Sequence, residues 1–339
     1  MRVFVTGGAG FIGSHYVRTM LTGGYDRYDD ATVTVFDKLT YAGNLANLEP
    51  VSSSPRYRLV HGDILDGALL DDVLPGHDVV VNFAAESHVD RSIHGAADFV
   101  TTNVVGVQTL LDAALRAGVP RVVQVSTDEV YGSIAAGSFR ETDPLAPNSP
   151  YSAAKAGGDL IARSYFVTHK LNVSITRCTN NYGPYQHPEK VIPLFVTNLL
   201  DGRPVPLYGD GLNIRDWLHV DDHCRGIDLL LTNGVPGEVY NIGGGNEVKN
   251  VDLTHRILEL VGKPTSLIKP VADRPGHDRR YSLDTSKLKS LGWRPRHVFE
   301  QGLAETVAWY KQNERWWRPI KDQDAEFRKY YQAQYGNRT

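Results

Sequence analysis

Two adjacent carboxylic acids, Asp128 and Glu129, follow an apolar, β-branched run of the sequence. The run VVQVST, residues 122–127, predicts a buried strand that ends at Thr127. An acid pair can share the work of donating and accepting protons if its surroundings hold the two pKa values apart. Because neighbouring residues of a straight strand point to opposite faces, the chain must turn at 127–129 for both acids to reach one molecule. The alternative is a solvated acidic turn.

A tyrosine and a lysine, Tyr151 and Lys155, lie four residues apart in PYSAAKA, at the start of a predicted helix. This spacing places both side chains on one helix face. A free tyrosine, with a pKa of about 10, is a poor base at neutral pH, and lowering that pKa by roughly three units requires ~4 kcal/mol of differential stabilisation. A lysine ammonium supplies part of the positive charge that this needs. The pair is a candidate base; the alternative is an ordinary surface pair.

A glycine-rich loop stands at the start of the chain, in VTGGAGFIGSH. Gly7, Gly10 and Gly13 directly follow the first predicted strand, as in loops that bring backbone N–H groups and a helix N-terminus to a pyrophosphate. Asp37 ends the second predicted strand, where a carboxylate bonds ribose hydroxyls and repels a 2′-phosphate. These features predict NAD as the cofactor. Its positive nicotinamide ring would add to the charge that Tyr151 needs.

The elements that must position these residues alternate between strands and helices. Strand-like runs occur at residues 2–7, 32–37, 57–63, 78–85, 121–127 and 173–178. The pattern predicts an α/β fold, a doubly wound parallel Rossmann sheet whose ligands bind at the carboxyl ends of its strands.

Proline and glycine become denser after about residue 180, which predicts a smaller, loop-rich C-terminal substrate domain. The expected boundaries are 1–179 for the NAD-binding domain and 180–339 for the second domain, with segments near 214–232 and 238–244 returning to the first. The tail 316–339 is expected to be helical and to have no chemical role, and Trp316 and Trp317 are expected to pack.

Composition narrows the class of protein. The chain has 339 residues, 41% of them hydrophobic, and a formal net charge of -3, which predicts neither nucleic-acid nor membrane binding from bulk charge. Any anionic ligand must therefore be held by a local group of cations. Cys178 and Cys224 offer no disulfide framework and no metal-ligand spacing, so no metal is expected. The chain opens on a strand without a leader pattern, and we expect a cytoplasmic protein.

Eight segments resemble the dTDP-glucose 4,6-dehydratase family of the extended short-chain dehydrogenase/reductase superfamily. They extend over nearly the whole chain: TGGAGFIGS, FDKLTYAGN, NFAAESHVDRSI, STDEVYG, PYSAAKA, TRCTNNYGPYQHPEKVIP, RDWLHVDDH and DRPGHDRRY. Thr127-Asp128-Glu129 discriminates best, because related NAD-dependent sugar epimerases generally lack the paired acids. Two positions depart from the family pattern: Ala154 stands where serine is frequent, and His187 where an aromatic residue is frequent.

The resemblance implies a hydro-lyase of deoxysugar biosynthesis that uses tightly bound NAD. Tyr151, assisted by Lys155, would take the C4 hydroxyl proton during hydride transfer, and Thr127 would bond to the C4 oxygen. Glu129 would then remove the C5 proton, Asp128 would protonate the departing C6 hydroxyl, and the hydride would return to C6. The identity of the nucleotide, dTDP rather than UDP, CDP or GDP, rests on the resemblance alone.

The resemblance and the local patterns together give the expected binding residues. Asp63 and Ile64 should flank the adenine, and FAAES (83–87) the pyrophosphate and nicotinamide ribose. The cofactor set is Gly7, Gly10, Phe11, Ile12, Gly13, Asp37, Lys38, Thr40, Asp63, Ile64, Phe83, Ala84, Ala85, Ser87, Thr102, Tyr151, Lys155 and Asn181. The substrate set is Ser87, His88, Thr127, Asn180, Lys190, Val191, Pro206, Tyr208, Arg215, Asn250, Arg274 and His277. Arg274 and Arg215 are the first choices for the diphosphate because a guanidinium binds phosphate bidentately, whereas Arg280 suits a surface ion pair.

Two helical stretches, 98–117 and 151–168, are apolar on more than one side. One side can cover the sheet while the other pairs with its copy, which predicts a homodimer through a four-helix interface. Two alternative functions stay open. One is an NAD-dependent nucleotide-sugar epimerase or decarboxylase of the same superfamily, which would not need Asp128 beside Glu129. The other is a non-catalytic NAD-sensing module, which would not need Tyr151, Lys155 or the acids.

Overall fold

A seven-stranded parallel sheet forms the centre of the molecule. The structure, a computed structural model, describes residues 1–25 and 28–335. The strands are β1 (Arg2–Thr6), β2 (Thr32–Asp37), β3 (Tyr57–His61), β4 (Val79–Asn82), β5 (Arg121–Thr127), β6 (Val173–Cys178), β7 (Asn180–Tyr182), β8 (Val205–Tyr208), β9 (Ile214–His219), β10 (Val239–Ile242), β11 (Glu247–Lys249) and β12 (Ile268–Val271). The central sheet has the order β10-β6-β5-β4-β1-β2-β3, with every pairing parallel. The predicted doubly wound fold is confirmed.

Helices cover both faces of this sheet, and others belong to the C-terminal half. In chain order the helices are α1 (Phe11–Leu21), α2 (Gly67–Val73), α3 (Val89–His94), α4 (Ala97–Val100), α5 (Val107–Arg116), α6 (Pro150–His169), α7 (Val191–Leu200), α8 (Val220–Asn233), α9 (Asn250–Val261), α10 (Ser286–Ser290), α11 (Phe299–Gln312), α12 (Glu314–Asp322) and α13 (Ala325–Tyr335). Alternate residues of β1 face opposite ways: Val3 and Val5 pack with α1 and α8, and Phe4 packs with α2, α5 and α6. No helix in the described residues is long and apolar enough to cross a membrane.

The C-terminal half builds a separate core, which the chain enters through β7 directly after the carboxyl end of β6. Two small sheets, β11-β9-β7 and β12-β8, are joined by α7, α9 and α11 around buried Trp317, which packs as expected. The segment 238–244 contributes β10 to the central sheet. The segment 214–232 divides: β9 joins the small sheet, and α8 packs on the central one. This second core therefore stands next to the strand ends where the first domain is expected to bind ligands.

The helical stretch predicted at 98–117 is interrupted. Between α4 and α5, residues Thr101–Gly106 form a π-helical turn. Within it the buried Asn103 side chain accepts a hydrogen bond from the Glu86 N–H (2.9 Å) and donates one to the Glu86 carbonyl (3.0 Å). Such turns are frequent at functional sites because they redirect side chains. Here the turn fixes the chain that leaves β4 and brings Thr102 to the cavity described next.

Candidate active site

The glycine-rich loop connects β1 to α1 in a tight turn. Gly7 has a φ of 64°, in the left-handed region. A Cβ atom at Gly13 would stand 2.4 Å from the Gly7 carbonyl oxygen, so the turn requires glycine there. The Asp37 carboxylate accepts hydrogen bonds from the N–H groups of Ala9 and Leu39, both at 2.8 Å. This loop, with a carboxylate held at the end of β2, fits the pyrophosphate and ribose of NAD.

A cavity of about 320 Å³ lies at the carboxyl ends of the central strands. Its wall includes every residue of the predicted cofactor set and all five predicted catalytic residues. Of the predicted substrate residues, Ser87, Thr127, Asn180 and Lys190 also line it. The structure therefore brings the glycine loop, the acid pair and the Tyr151–Lys155 pair into one space.

The chain turns where the acid pair requires it. After β5, residues Asp128–Tyr131 form a 3₁₀ helix whose N-cap is Thr127. The Thr127 hydroxyl accepts a hydrogen bond from the Glu129 N–H (3.3 Å) and donates one to the Asp128 carboxylate (3.2 Å). This turn allows both acids to line the cavity, although they are neighbours in sequence.

The surroundings of the two acids differ in charge. Burial, followed by the charges of Glu129 and Asp216, raises the pKa of Asp128 well above its ordinary value. Burial also raises the pKa of Glu129, but there the cations Arg274, Arg215 and Lys190 oppose the rise. Asp128 is therefore the better proton donor of the pair and Glu129 the better proton acceptor.

Tyr151 and Lys155 lie on the first turns of α6, and both are buried. The helix begins with a capping box between Ser149 and Ser152. The Lys155 ammonium donates a hydrogen bond to the Val125 carbonyl at 2.7 Å. Burial, and then the Glu129 charge, raises the pKa of Tyr151 well above its ordinary value. The protein's own groups therefore do not supply the lowering that the sequence interpretation assigned jointly to Lys155 and the nicotinamide ring.

Three cations, Lys190, Arg215 and Arg274, act electrostatically on Glu129, and we call them the cation cluster. The Arg274 guanidinium donates to the Asp90 carboxylate at 2.9 Å. The Arg215 guanidinium donates to the Asp278 carbonyl at 2.8 Å and lies 4.2 Å from the centre of the Tyr281 ring. The Lys190 ammonium donates to the Ser87 carbonyl at 2.6 Å. A chain of net negative charge thus concentrates positive charge beside the acid pair, an arrangement that suits an anionic ligand.

The remaining predicted substrate residues lie outside the cavity wall. His88 is buried, with its ring 3.4 Å from both the Tyr330 hydroxyl and the Glu189 carbonyl. Tyr208 is hydrogen-bonded to Asp90 at 3.0 Å, and His277 to Asp273 at 2.6 Å. The others are Val191 at the start of α7, Pro206 in β8 and Asn250 at the start of α9. Tyr208 shares Asp90 with Arg274, which connects it to the cation cluster. Arg280 pairs with Glu247, in keeping with a surface ion pair.

Comparisons with known proteins identify the family. The model of the GDP-mannose 4,6 dehydratase family matches residues 4–306. A dTDP-glucose 4,6-dehydratase of Actinoplanes sp. is 59% identical over 319 residues, covering 94% of this chain and 100% of the relative. One of Streptomyces niveus is 57% identical over 325 residues, covering 96% and 97%. The crystal structure of the dTDP-glucose 4,6-dehydratase of Streptomyces venezuelae with NAD bound has a TM-score of 0.94 and 61% identity, covering 95% of this chain and 100% of that chain.

The chain belongs to the dTDP-glucose 4,6-dehydratase family. The resemblance seen in the sequence is therefore confirmed, and the paired acids, the Tyr151–Lys155 pair and the glycine loop stand together in the cavity of this family member. The likeness to the Streptomyces venezuelae structure covers 95% of the chain and is therefore not confined to the Rossmann sheet.

Sequence reasoning missed part of the cavity wall of this dTDP-glucose 4,6-dehydratase family member. The unpredicted lining residues that lie after β7 are Tyr185, Gln186, His187, Glu189, Trp316 and Ile320. Trp316 and Ile320 belong to the tail that was expected to have no chemical role. A double tryptophan near the end of a chain is equally typical of core packing, as Trp317 shows. The sequence therefore held no signal that separated Trp316 from its neighbour.

Proposed function

We propose that this protein converts dTDP-D-glucose to dTDP-4-keto-6-deoxy-D-glucose and water. The observation that carries the proposal is the presence of Asp128 and Glu129 in the same cavity as Tyr151 and Lys155. Oxidation of a sugar hydroxyl requires one base, which a tyrosine can supply. Loss of water from the neighbouring carbons requires a second base and an acid. The cavity holds this complete set of proton-transferring groups.

In the first half of the reaction, Tyr151 takes the proton of the C4 hydroxyl. NAD, when bound, accepts the hydride from C4 and later returns it to C6. Thr127 interacts with Tyr151 and lies beside it in the cavity, where its hydroxyl can bond to the C4 oxygen as this becomes a carbonyl. Lys155, one turn along α6 from Tyr151, lines the same cavity, where its ammonium can hold the cofactor ribose. Burial and the Glu129 charge disfavour the Tyr151 phenolate, and the positive nicotinamide ring of bound NAD would favour it.

In the second half, the new C4 ketone acidifies the C5 proton and Glu129 removes it. Asp128, whose burial favours its protonated form, donates a proton to the C6 hydroxyl, which leaves as water. A proton then returns to C5 as C6 is reduced. The two acids act on adjacent carbons, which suits adjacent side chains on one 3₁₀ turn.

The cation cluster is the proposed site of the diphosphate. Arg274 and Arg215 supply guanidinium groups and Lys190 an ammonium, and all three act electrostatically on Glu129. A diphosphate at this place would position the sugar between the cluster and the cofactor. We infer the identity of the nucleotide, dTDP, from the family, and the measurement described next tests it against UDP-glucose.

A single assay distinguishes the proposed function from its alternatives. The purified protein is given dTDP-glucose without added NAD, and the products are measured by mass spectrometry. The proposal expects a nucleotide sugar lighter by one water and, when the reaction is run in heavy water, one deuterium incorporated at C5. An epimerase would leave the mass unchanged, a decarboxylase acting on a uronic acid would release carbon dioxide, and a sensing module would leave every substrate intact. Equal rates with UDP-glucose would contradict the choice of nucleotide.

We also infer a homodimer through a four-helix interface. Val100 and Val105 on the stretch predicted at 98–117, and Leu160 and Val167 on α6, are large hydrophobic residues with 46–58% of their surface exposed. The two helical segments pack against each other, as the edge-on contact of Phe99 with Tyr151 illustrates. A second copy related by a two-fold axis would cover all four residues. Light scattering at micromolar concentration should give twice the chain mass, and a monomer would contradict the inference.

We expect the protein to act in the cytoplasm. Cys178 and Cys224 are buried, unpaired thiols, as is usual where thiols stay reduced. Cell fractionation with activity measured in each fraction tests this expectation.

A further inference from the structure

Helix α12 forms a wall of the cofactor cavity, although it lies in the C-terminal part of the chain. Trp316 and Ile320 both line the cavity, together with Gly10, Phe11 and Asn47. Their spacing of four residues places them on one face of α12. Residues from the two ends of the chain therefore meet around the space that fits the dinucleotide.

A chain of hydrogen bonds joins this helix to the glycine-rich loop. The Trp316 indole N–H donates to the Asn47 side-chain oxygen at 2.8 Å. The Asn47 side-chain amide, 1% exposed, donates to the Ala9 carbonyl at 2.8 Å. The Ala9 N–H in turn donates to Asp37, the carboxylate expected at the ribose. Movement of α12 away from the cavity must break the first of these bonds.

A second set of contacts holds α12 against α1 and Asn47. The Arg18 guanidinium, on α1, donates to the Asn47 carbonyl at 2.5 Å and lies 4.1 Å from the centre of the Tyr185 ring. Tyr185 has a φ of 68°, a conformation that side-chain-bearing residues adopt only where packing enforces it. Its ring packs against Trp309 at 4.6 Å and Trp316 at 5.6 Å. Aromatic contacts and hydrogen bonds therefore connect α12 with the N-terminal part of the chain.

We propose that α12, fastened to the glycine-rich loop through the Trp316–Asn47 hydrogen bond, keeps NAD in its cavity between the two hydride transfers. The proposal rests on the proposed function, because that reaction returns to the sugar the hydride it removed and fails if the reduced cofactor leaves between the steps. The tail residues Trp316 and Ile320 are then cofactor-retaining residues. They restrict exchange of the dinucleotide and take no part in proton transfer.

The test measures exchange of bound NAD in the holoenzyme without substrate. Protein carrying unlabelled NAD is mixed with excess isotopically labelled NAD, and the bound fraction is followed by mass spectrometry. Trp316→Phe keeps the ring beside Tyr185 and removes the N–H, and it should exchange NAD about tenfold faster, the effect of losing one hydrogen bond of ordinary strength. Ile320→Ala, which shortens the wall without touching Asn47, should also exchange NAD faster than the unchanged protein.

The matched control is Arg315→Gln. Arg315 is exposed on the same helix α12 and does not line the cavity, so its variant should exchange NAD at the unchanged rate. Exchange within about twofold of the unchanged protein, in whichever of Trp316→Phe and Ile320→Ala folds, overturns the proposal. Because no sugar is present, the result stands apart from the proposed function, which is decided by the conversion of dTDP-glucose.

Discussion

The cofactor side of the cavity differs in construction from the cation cluster with Asp90 and Tyr208, the proposed substrate side. On the cofactor side, the glycine loop and Asp37 come from one β-α-β unit and present mainly backbone groups. On the substrate side, Arg274 meets Asp90 across 184 positions of sequence, and Tyr208 meets Asp90 across 118. The first is a local motif, whereas the second exists only in the complete fold.

The two sides also differ in how their charges are used. Each member of the cation cluster already donates to a protein oxygen, namely that of Asp90, Asp278 or Ser87. A diphosphate at this proposed site would have to compete with these partners, so its binding would exchange one set of contacts for another. The cofactor side instead offers a preformed loop. Substitutions on the cofactor side should therefore affect NAD retention, and substitutions on the substrate side should affect substrate affinity. Substitutions of the two acids should affect neither quantity.

The largest expected effect comes from the acids. Glu129→Gln and Asp128→Asn should each slow formation of the dehydrated product about 10²–10⁴-fold, the usual contribution of a general acid or base. Both should still reduce bound NAD with dTDP-glucose, because Tyr151 and Lys155 remain. Absorbance of the reduced cofactor and product mass, measured in one reaction, separate the two steps. Full dehydration by both variants would show that the assigned roles are wrong.

On the cofactor side, Asp37→Ala should weaken NAD binding about 10–100-fold and relax the preference over NADP. The carboxylate holds the N–H groups of Ala9 and Leu39, so its removal loosens the loop and also removes the repulsion of a 2′-phosphate. Titration of cofactor-free protein with NAD and NADP measures both effects. KM for the sugar nucleotide, with NAD saturating, should remain unchanged. Unchanged affinity for both cofactors would contradict the assignment.

This difference in construction explains what could be predicted from the sequence. Gly7, Asp37, Tyr151 and Lys155 lie in short segments whose spacing carries the physical requirement, and the order of strands and helices follows from periodicity. The acid turn at 127–129 could also be inferred, because two neighbouring side chains cannot otherwise reach one molecule. The central sheet and the part of the cofactor cavity built from these segments could therefore be inferred from the sequence.

Contacts between segments that are distant in sequence could not be predicted in the same way. Asp90 as the partner of Arg274 has no local signature, and the bond of Trp316 to Asn47 spans 269 positions. The π-helical turn at Thr101–Gly106 depends on Asn103 finding the backbone of Glu86, which only the packing of the β4 exit against this segment provides. The domain boundary near 180 and the roles of the individual site residues stay predictions.

On the substrate side, Arg274→Met should raise KM for the sugar nucleotide about tenfold and leave NAD retention unchanged. Arg274 also opposes the rise in the pKa of Glu129, so its loss should raise that pKa and move the acidic limb of the kcat/KM profile to higher pH. Arg280→Met, in the same loop but paired with Glu247, is the control and should leave both quantities unchanged. An unaltered KM and pH profile in Arg274→Met would remove Arg274 from the proposed diphosphate site.

The smallest expected effect is on stability, and it tests whether the pKa of Asp128, which lies between the two sides, is raised in the folded protein. Burial and Glu129 raise its pKa in the folded protein above the unfolded value, so the folded state binds the proton more tightly. The stability that this provides is complete below the unfolded pKa and is lost as pH rises through the folded pKa. Asn cannot ionise, so Asp128→Asn should be more stable than the unchanged protein at pH 8, by about 1.4 kcal/mol for each unit of the pKa difference, and nearly equal to it at pH 4.

Thermal unfolding of both proteins across this pH range measures the difference in stability, and Asp72→Asn, at an exposed position, is the control. If the stability gain of Asp128→Asn does not grow with pH, Asp128 ionises at no cost in the folded protein. The surroundings of the acid pair would then not separate the pKa values of Asp128 and Glu129.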